Sequence, residues 1–440
     1  MDVAEYKGKR ILLTTVCRDS KKTYDYWAQN VSKKVRYSFN KYASIGLRFI
    51  KANVPEIEIL ESPFMSDYEA ALDRGYDVVG FSFYTHNIPA ILEMARMARE
   101  KGVKELWAGN YGAITYGMEE HFDRIFTGYA EHTIAKEMGR KINRLKHPVL
   151  VEIVSLPGNI GAFPLGVVNS TRGCTNNCSF CQTPVFCSGI SHIPLESIEE
   201  SFLFYKNMGV NNIIFSDESF GLQKKYTDKI IDLLVKYNFD WYAMPRVDTL
   251  EREFNDWFES GLSGVFIGIE NLRQSSLDDM GKNFTVKQTT EILRALEGVH
   301  AFTVGYYMIG FEDDTVTSIK RDIKELNRYS IDMLQTCVLT PLPRTELWDH
   351  IDEKYGIFEK DWSKWDMKNL VWNHPTLSQD DIKDLLKWVF RTAYPQKRFI
   401  QTPMKYLTLR RKRYGTARTV SMMTSDVWKA NLKFKKPLPP

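Results

Sequence analysis

The sequence predicts an α/β protein in three parts: a doubly wound, Rossmann-like domain over residues 1–145, a partial (β/α)6 barrel over 165–345 after a linker at 146–164, and a mainly helical region over 346–440. Three observations predict it. Short apolar runs alternate with helical stretches in two series, a Pro/Gly-rich break separates the series, and the alternation fades after Arg344 into tryptophan-rich chain. At 440 residues the chain exceeds one typical core and suffices for two or three.

In the first series, Ile11–Val16, Ile57–Leu60, Val78–Tyr84, Glu105–Gly109 and Arg124–Gly128 read as strands. Between them, Ile88–Lys101 carries apolar residues at helical spacing (Ile91, Leu92, Met94, Ala95, Ala98), so the strands form a parallel sheet. Such sheets bind ligands at their carboxyl ends. Those ends carry Ser82, Tyr84, Thr85 and His86, then Gly109, Asn110 and Tyr111, then Gly128 and Glu131. Pro148, Pro157, Gly158, Gly161 and Pro164 mark the linker. The second series runs through Gly166–Ser170, Asn212–Asp217, Phe239–Met244, Gly264–Glu270, Phe302–Gly310 and Asp332–Leu342, with helices such as Leu195–Met208 and Lys225–Tyr237 between them. Its chemistry belongs at the C-terminal ends of the strands. A helix at Gln379–Phe390 and a basic tail complete the chain.

Hydrophobic content of 43% and charged content of 26% are those of an ordinary folded protein. Met1–Arg10 has no apolar core of signal-peptide length, and no apolar run reaches the roughly 18 residues of a membrane span, so a cytoplasmic protein is expected. The six cysteines do not form a disulfide framework. From Gln396 to Pro440, twelve Lys or Arg residues face one acid, Asp426. A solvated arm, a nucleic-acid contact and an anionic membrane surface all fit that tail; the mixed apolar and cationic run Met404–Tyr414 suits the membrane, and no stacking-aromatic nucleic-acid motif stands out.

The strongest signal is Thr-Arg-Gly-Cys-Thr-Asn-Asn-Cys-Ser-Phe-Cys, which places Cys174, Cys178 and Cys181 on one loop just after the first barrel strand. Three thiolates hold three corners of an iron–sulfur cube and leave one iron open to an outside ligand, as reductive cleavage of a bound sulfonium requires. A zinc site is the competing reading. Structural zinc takes four ligands, usually in two pairs, and no second C-x2-C or H-x3-H occurs; Cys187 is the one nearby candidate for a fourth. Cys187 and Cys337 otherwise read as packed thiols. Further along, Asp217, Glu218 and Ser219 after the second barrel strand could accept hydrogen bonds from an ammonium group, or could be an ordinary turn. Arg246 after the third and Glu270 after the fourth could hold a carboxylate and ribose hydroxyls, or brace each other.

The cysteine run, with Phe180 as the aromatic before the third thiol, resembles the radical S-adenosylmethionine (SAM) superfamily, whose motif C-x3-C-x-aromatic-C it matches residue for residue. The resemblance implies a 4Fe–4S cluster on Cys174, Cys178 and Cys181, with SAM chelating the fourth iron. It also implies adenine beside Phe180, the methionine amine at Asp217, Glu218 and Ser219, and further SAM contacts at Arg246 and Glu270. The runs GVFIGIENLRQSSLDDMGK (264–282) and YYMIGFEDDT (306–315), with Thr340-Pro341-Leu342-Pro343, are similar to the radical enzymes that carry an N-terminal cobalamin-binding-type domain. That group includes the anaerobic magnesium-protoporphyrin ester cyclase and the cobalamin-dependent methylases, and the similarity spans about residues 5–390. It implies cobalamin over Ser82, Tyr84, Thr85, Gly109, Asn110, Gly128 and Glu131. Three departures stand out: no histidine follows Val16, Asn110 stands where a second glycine is usual, and Arg344 replaces the glycine of Pro-Gly-Thr. Arg344 could bind an anionic substrate group, and His86 and His132 are the histidines nearest the cobalamin side.

The expected function is therefore radical activation of a C–H bond, with cobalamin-dependent C-methylation of a large, apolar small-molecule or lipid-like substrate. The tryptophans beyond Arg344 fit such a substrate or the packing of a helical cap. A low-potential donor such as flavodoxin or ferredoxin is the implied partner. The alternatives are radical cyclisation, carbon–carbon coupling or rearrangement without methyl transfer, and a noncatalytic metal or redox-sensing module.

Overall fold

Apolar runs such as Ile-Leu-Leu and Val-Val-Gly-Phe lack alternation because both faces of their sheet are covered. The computed structural model describes residues 6, 8–18, 43–155, 162–394 and 398–421. Strands β1 (Ile11–Thr15), β2 (Glu58–Leu60), β3 (Val78–Ser82), β4 (Glu105–Gly109) and β5 (Arg124–Ile125) form a parallel sheet in the order β2-β1-β3-β4-β5. Leu12, Val79, Phe81 and Leu106 pack against helices Met65–Leu72 and Ile88–Glu100 on one face. On the other, Ile11, Leu13, Val78 and Trp107 meet helices Ile45–Asn53 and Glu131–Glu137. The chain leaves β1 toward β2 and returns to place β3 on β1's other side, which opens a crevice at the β1/β3 carboxyl ends.

The second sheet holds the expected six parallel strands in chain order: β7 (Ala162–Val168), β10 (Asn212–Phe215), β11 (Asp240–Ala243), β12 (Leu262–Glu270), β13 (Phe302–Ile309) and β14 (Met333–Val338). One expectation needs correcting. The stretch read as linker contains β6 (Val151–Ser155), which pairs antiparallel with β7 and extends the sheet edge. Prolines and glycines drew attention to the break and away from the apolar run before it. A two-strand ladder, β8 (Thr171–Arg172) with β9 (Ser191–His192), closes the base of the cysteine loop.

The basic tail is in part a structural element. Helix Arg398–Tyr414 runs beneath the amino ends of the barrel strands. Lys405 pairs with Asp332 at 2.7 Å, and Arg410 reaches Asn212 at 2.7 Å and Asp240 at 3.2 Å. Arg413 binds Asp240 at 2.7 Å and the Leu262 carbonyl at 2.9 Å. Arg410 is buried, and Lys405 and Arg413 are half-buried, against the buried Asp332 and Asp240, so these three residues brace the barrel floor rather than face a lipid surface. Lys397 and the cations beyond residue 421 lie outside the described residues. Among the described residues no helix is long and apolar enough to cross a membrane. Trp365 and Trp372 are buried, and Trp348, Trp362 and Trp365 pack ring on ring at 5.0–6.3 Å, as a cap does.

His147 joins the two halves. Its Nδ1 donates to the Pro148 carbonyl at 2.6 Å, its Nε2 accepts from the Asn169 amide at 3.0 Å, and Phe49 packs on its ring. Burial pushes its pKa down to about 3. The neutral ring is therefore stabilising above the unfolded-state value near 6.5, and that stability drains away as pH falls, by about 1.4 kcal/mol per unit. Denaturant unfolding of the wild type and His147→Asn at pH 7 and pH 5 should show their stability gap shrinking by about 2 kcal/mol at pH 5.

Candidate active site

The cysteine loop is fastened on every side. Where the chain leaves β7, the buried Asp217 carboxylate accepts from the Ser170 amide and hydroxyl (2.7 and 2.5 Å) and the Thr171 amide and hydroxyl (3.0 and 2.8 Å). Burial pushes Asp217 up to about 6, against the pull of those four donors. Gly173 follows at φ +84°, with room for no side chain: a Cβ would lie 2.2 Å from the Gly189 carbonyl oxygen. Its amide donates to Glu218 at 3.1 Å. Beyond the second cysteine, the Ser179 amide donates to Met280 and its carbonyl accepts from Leu347. Gln182 then donates to the Pro343 carbonyl at 3.0 Å.

Cys174, Cys178 and Cys181 are free and half-buried on this loop. The Asn176 amide and side chain donate to Cys174 Sγ at 3.4 and 3.3 Å, and the Thr183 amide donates to Cys181 Sγ at 3.4 Å. Such N–H···S contacts stabilise thiolate character and tune iron–sulfur potentials. Among the described residues no group of three His, Cys, Asp or Glu side chains is arranged to hold a metal ion, so the fit rests on donor chemistry and surroundings. Those surroundings fit a ligand. The Ser219 hydroxyl and the Asn271 side-chain nitrogen are buried without a hydrogen-bond partner. Glu270 is held at φ +60°, and its carboxylate lies against Gly268, where a Cβ would come within 2.4 Å. A left-handed glutamate is uncommon and marks a constrained site.

One cavity of about 910 Å³ lies where the two halves meet. Ser82, Tyr84, Thr85, Gly109, Asn110, Gly128 and Glu131 all line it, as do His86, Glu218, Tyr306 and Trp365. Leu13 of β1 and Gly80 of β3, with Leu47 and Ile134 from the helices beside them, add apolar surface to its lining. Asn110 adopts φ +70° and ψ −179°, a strained backbone region that is essentially glycine's own, and its side chain donates to Ser82 at 3.4 Å. His132 lies outside the lining.

The structure corrects four assignments. Asp217 is buried and taken up by four donors, three of them on one oxygen, so it positions the loop rather than facing a ligand. Glu131 is closed by Arg172 at 2.8 Å, with side chains 3% and 5% exposed. Arg246 is engaged by Asp248 at 3.0 Å and by the Lys282 carbonyl, and it does not pair with Glu270. Arg344, at φ +66°, donates to the Ile114 carbonyl at 2.6 Å and lies over Tyr116, so it joins the halves instead of facing substrate. Two residues were missed. Lys282 pairs with Glu270 at 2.5 Å and hangs 5.2 Å over the Phe180 ring; it closes the quoted run 264–282 and was legible only as a surface lysine. Arg172 stands two residues before the cysteine motif.

A family model described as the radical SAM superfamily matches residues 168–333. This segment is a radical SAM domain. The chain is also similar to an uncharacterized methyltransferase of Pyrococcus horikoshii, 27% identical over 280 residues, which covers 59% of this chain and 60% of that one. Bacteriochlorophyllide d C-8(2)-methyltransferase of Chlorobaculum tepidum is 24% identical over 399 residues, 82% of this chain and 85% of that protein. The alignment with the anaerobic magnesium-protoporphyrin IX monomethyl ester cyclase of Rubrivivax gelatinosus spans 45% of that enzyme's length. Among solved structures, the fold matches the radical SAM methyltransferase TsrM of Kitasatospora setae, with tryptophan and a SAM analogue bound (TM-score 0.64, 13% identity, 88% and 90% covered). It also matches the cobalamin-dependent radical SAM enzyme OxsB (TM-score 0.61, 12% identity, 97% and 76% covered). Around the radical SAM domain, the N-terminal sheet thus has counterparts of the same architecture.

Gly173 offers a direct check on the loop. Gly173→Ala should lose bound iron and destabilise the fold by about 2 kcal/mol or more, because strain and a backbone clash coincide. Gly281→Ala, with φ +67° but a nearest contact of 3.4 Å, should retain most of the iron. Iron per chain after anaerobic reconstitution measures both.

Proposed function

We propose that the chain is a radical SAM enzyme whose N-terminal domain carries cobalamin, and that it C-methylates a large, apolar substrate. The observation that carries this reading is the shared cavity: the carboxyl ends of both parallel sheets open into it, and Arg172 and Gln182, which flank the three cysteines in the chain, line it although the cysteines themselves do not. With a 4Fe–4S cluster, SAM and cobalamin bound, the site would supply one-electron cleavage of the sulfonium, hydrogen abstraction from an unactivated carbon and a methyl group for that carbon.

The chain's own residues have separable tasks. Cys174, Cys178 and Cys181 would hold the cluster through three thiolates. Glu218, exposed to the cavity and already accepting from Tyr129 at 2.5 Å, presents a carboxylate to the methionine amine, and Ser219 supplies an unused hydroxyl beside it. Lys282 and Glu270 offer a cation and an anion next to Phe180, suited to the carboxylate and ribose of SAM. The turns at Ser82, Tyr84, Thr85, Gly109, Asn110 and Gly128 would hold the cobalamin, with the apolar side chains of Leu13, Leu47 and Ile134 in the same lining. Tyr84, Tyr306, Leu342, Trp365 and Met367 line the space left for substrate, which favours an extended apolar molecule. An external low-potential donor delivers the electron.

Anaerobically reconstituted wild type, given SAM, dithionite and hydroxocobalamin, should form 5′-deoxyadenosine and bind about one cobalamin per chain, whereas Cys178→Ala should lose at least 100-fold of the nucleoside. Undiminished 5′-deoxyadenosine from Cys178→Ala would refute the radical assignment. Isotope-labelled SAM methyl appearing in product separates methylation from cyclisation or rearrangement.

A further inference from the structure

The strongest unassigned feature is the environment of Arg172, which stands two residues before Cys174. Its guanidinium donates to both Glu131 oxygens, at 2.8 and 3.2 Å, and lies between two aromatic faces, 3.7 Å from the Phe49 centroid and 4.4 Å from that of Tyr129. Phe49 belongs to helix Ile45–Asn53, Tyr129 to the turn after β5, and Glu131 to the first turn of helix Glu131–Glu137 that follows it. One barrel side chain is thereby fixed by two separate segments of the N-terminal domain. Its backbone is fixed as well, since Arg172 pairs with Ser191 at the ladder closing the loop, and Gly173 beyond it is locked against Gly189.

Cost and geometry both argue against a casual contact. A buried charge pair must recover a large desolvation penalty, which a bidentate fork between two π faces does. Lysine has the charge but neither the fork nor the plane. Phe49, Tyr129, Glu131 and Arg172 all line the cavity, so a molecule bound there touches the same clamp that fixes the base of the loop.

We propose that Arg172 is a positioning residue that couples the N-terminal cavity to the cysteine loop: the clamp sets the geometry at Cys174, and occupancy of the cavity and assembly at the loop favour each other. Coupling of this kind is reciprocal, each event strengthening the other by the same factor. The inference rests on the proposed cluster and cobalamin, and its test separates the three.

The reconstituted full-length wild type, Glu131→Gln, Arg172→Lys and, as a control at a separate contact between the halves, Arg344→Ala are compared. Electron paramagnetic resonance of the dithionite-reduced protein without cobalamin reads the loop directly. Expected are shifted g values and roughly 10–100-fold weaker iron retention for Glu131→Gln and Arg172→Lys, as for outer-shell partners of metal ligands, with Arg344→Ala matching wild type. Circular dichroism confirms folding, and Arg172→Lys keeps the charge should Glu131→Gln fail to fold. Hydroxocobalamin titration of cluster-free and cluster-loaded protein then reads the coupling: a difference of about fivefold or more in wild type, collapsing toward one in Glu131→Gln, is expected. Wild-type spectra in both clamp variants would overturn the proposal, as would coupling of equal size in wild type and Glu131→Gln. A wild type that loads iron but binds no hydroxocobalamin overturns the coupling and the cobalamin reading while leaving the cluster reading intact. Failure of the wild type to load iron overturns all three.

Discussion

A buried carboxylate decides where the chemistry of this protein can sit. Asp217, at the end of β10, gathers four hydrogen bonds from Ser170 and Thr171, where the chain leaves β7, and so aims the next residues at the barrel mouth. Desolvating such a group costs several kcal/mol unless hydrogen bonds offset it, and here four do. Everything downstream inherits that anchor: the ladder at Arg172, the locked turn at Gly173 and the three cysteines. It also explains why the second strand end serves two purposes. Asp217 turns inward to build the loop, and Glu218 beside it turns outward into the cavity.

The two parallel sheets answer the same physical rule from opposite sides. Ligands gather at the carboxyl ends of parallel strands, where loops converge and glycines admit close approach. Here those ends face each other, fastened by Arg172 with Glu131, Tyr111 with Thr183 and Arg344 with the Ile114 carbonyl. The result is one chamber rather than two clefts. Below it, Lys405, Arg410 and Arg413 fasten the C-terminal helix to Asp332 and Asp240 and close the opposite end of the barrel. Part of the charge that looks like an interaction tail in one dimension is spent internally in three.

Much of this was legible in the sequence because it depends on local pattern. The strands follow from apolar runs, the helices at Leu195–Met208 and Gln379–Phe390, the latter running on to Ala393, from their spacing, and the cysteine loop from its motif. The cavity-lining turns from Ser82 to Gly128 were found by placing them at strand ends. What escaped depends on pairing across the fold. Arg246 and Glu270 look like natural partners at adjacent strand ends, yet Lys282, twelve residues past Glu270 and with nothing to distinguish it from a surface lysine, takes the carboxylate. Glu131 reads as a ligand-facing acid until Arg172, 41 residues later, is seen against it. β6 was hidden because an edge strand in antiparallel pairing needs no crossover helix to announce it.

The central claim is that three thiolates on this loop leave one iron free for the methionyl end of SAM. The measurement that tests it most directly is electron–nuclear double resonance on the reduced, reconstituted protein with SAM carrying 15N in its amine and 17O in its carboxylate. The account predicts hyperfine coupling from both labels to the cluster. A spectrum with no coupling from either label, in protein that holds its full complement of iron, would contradict it.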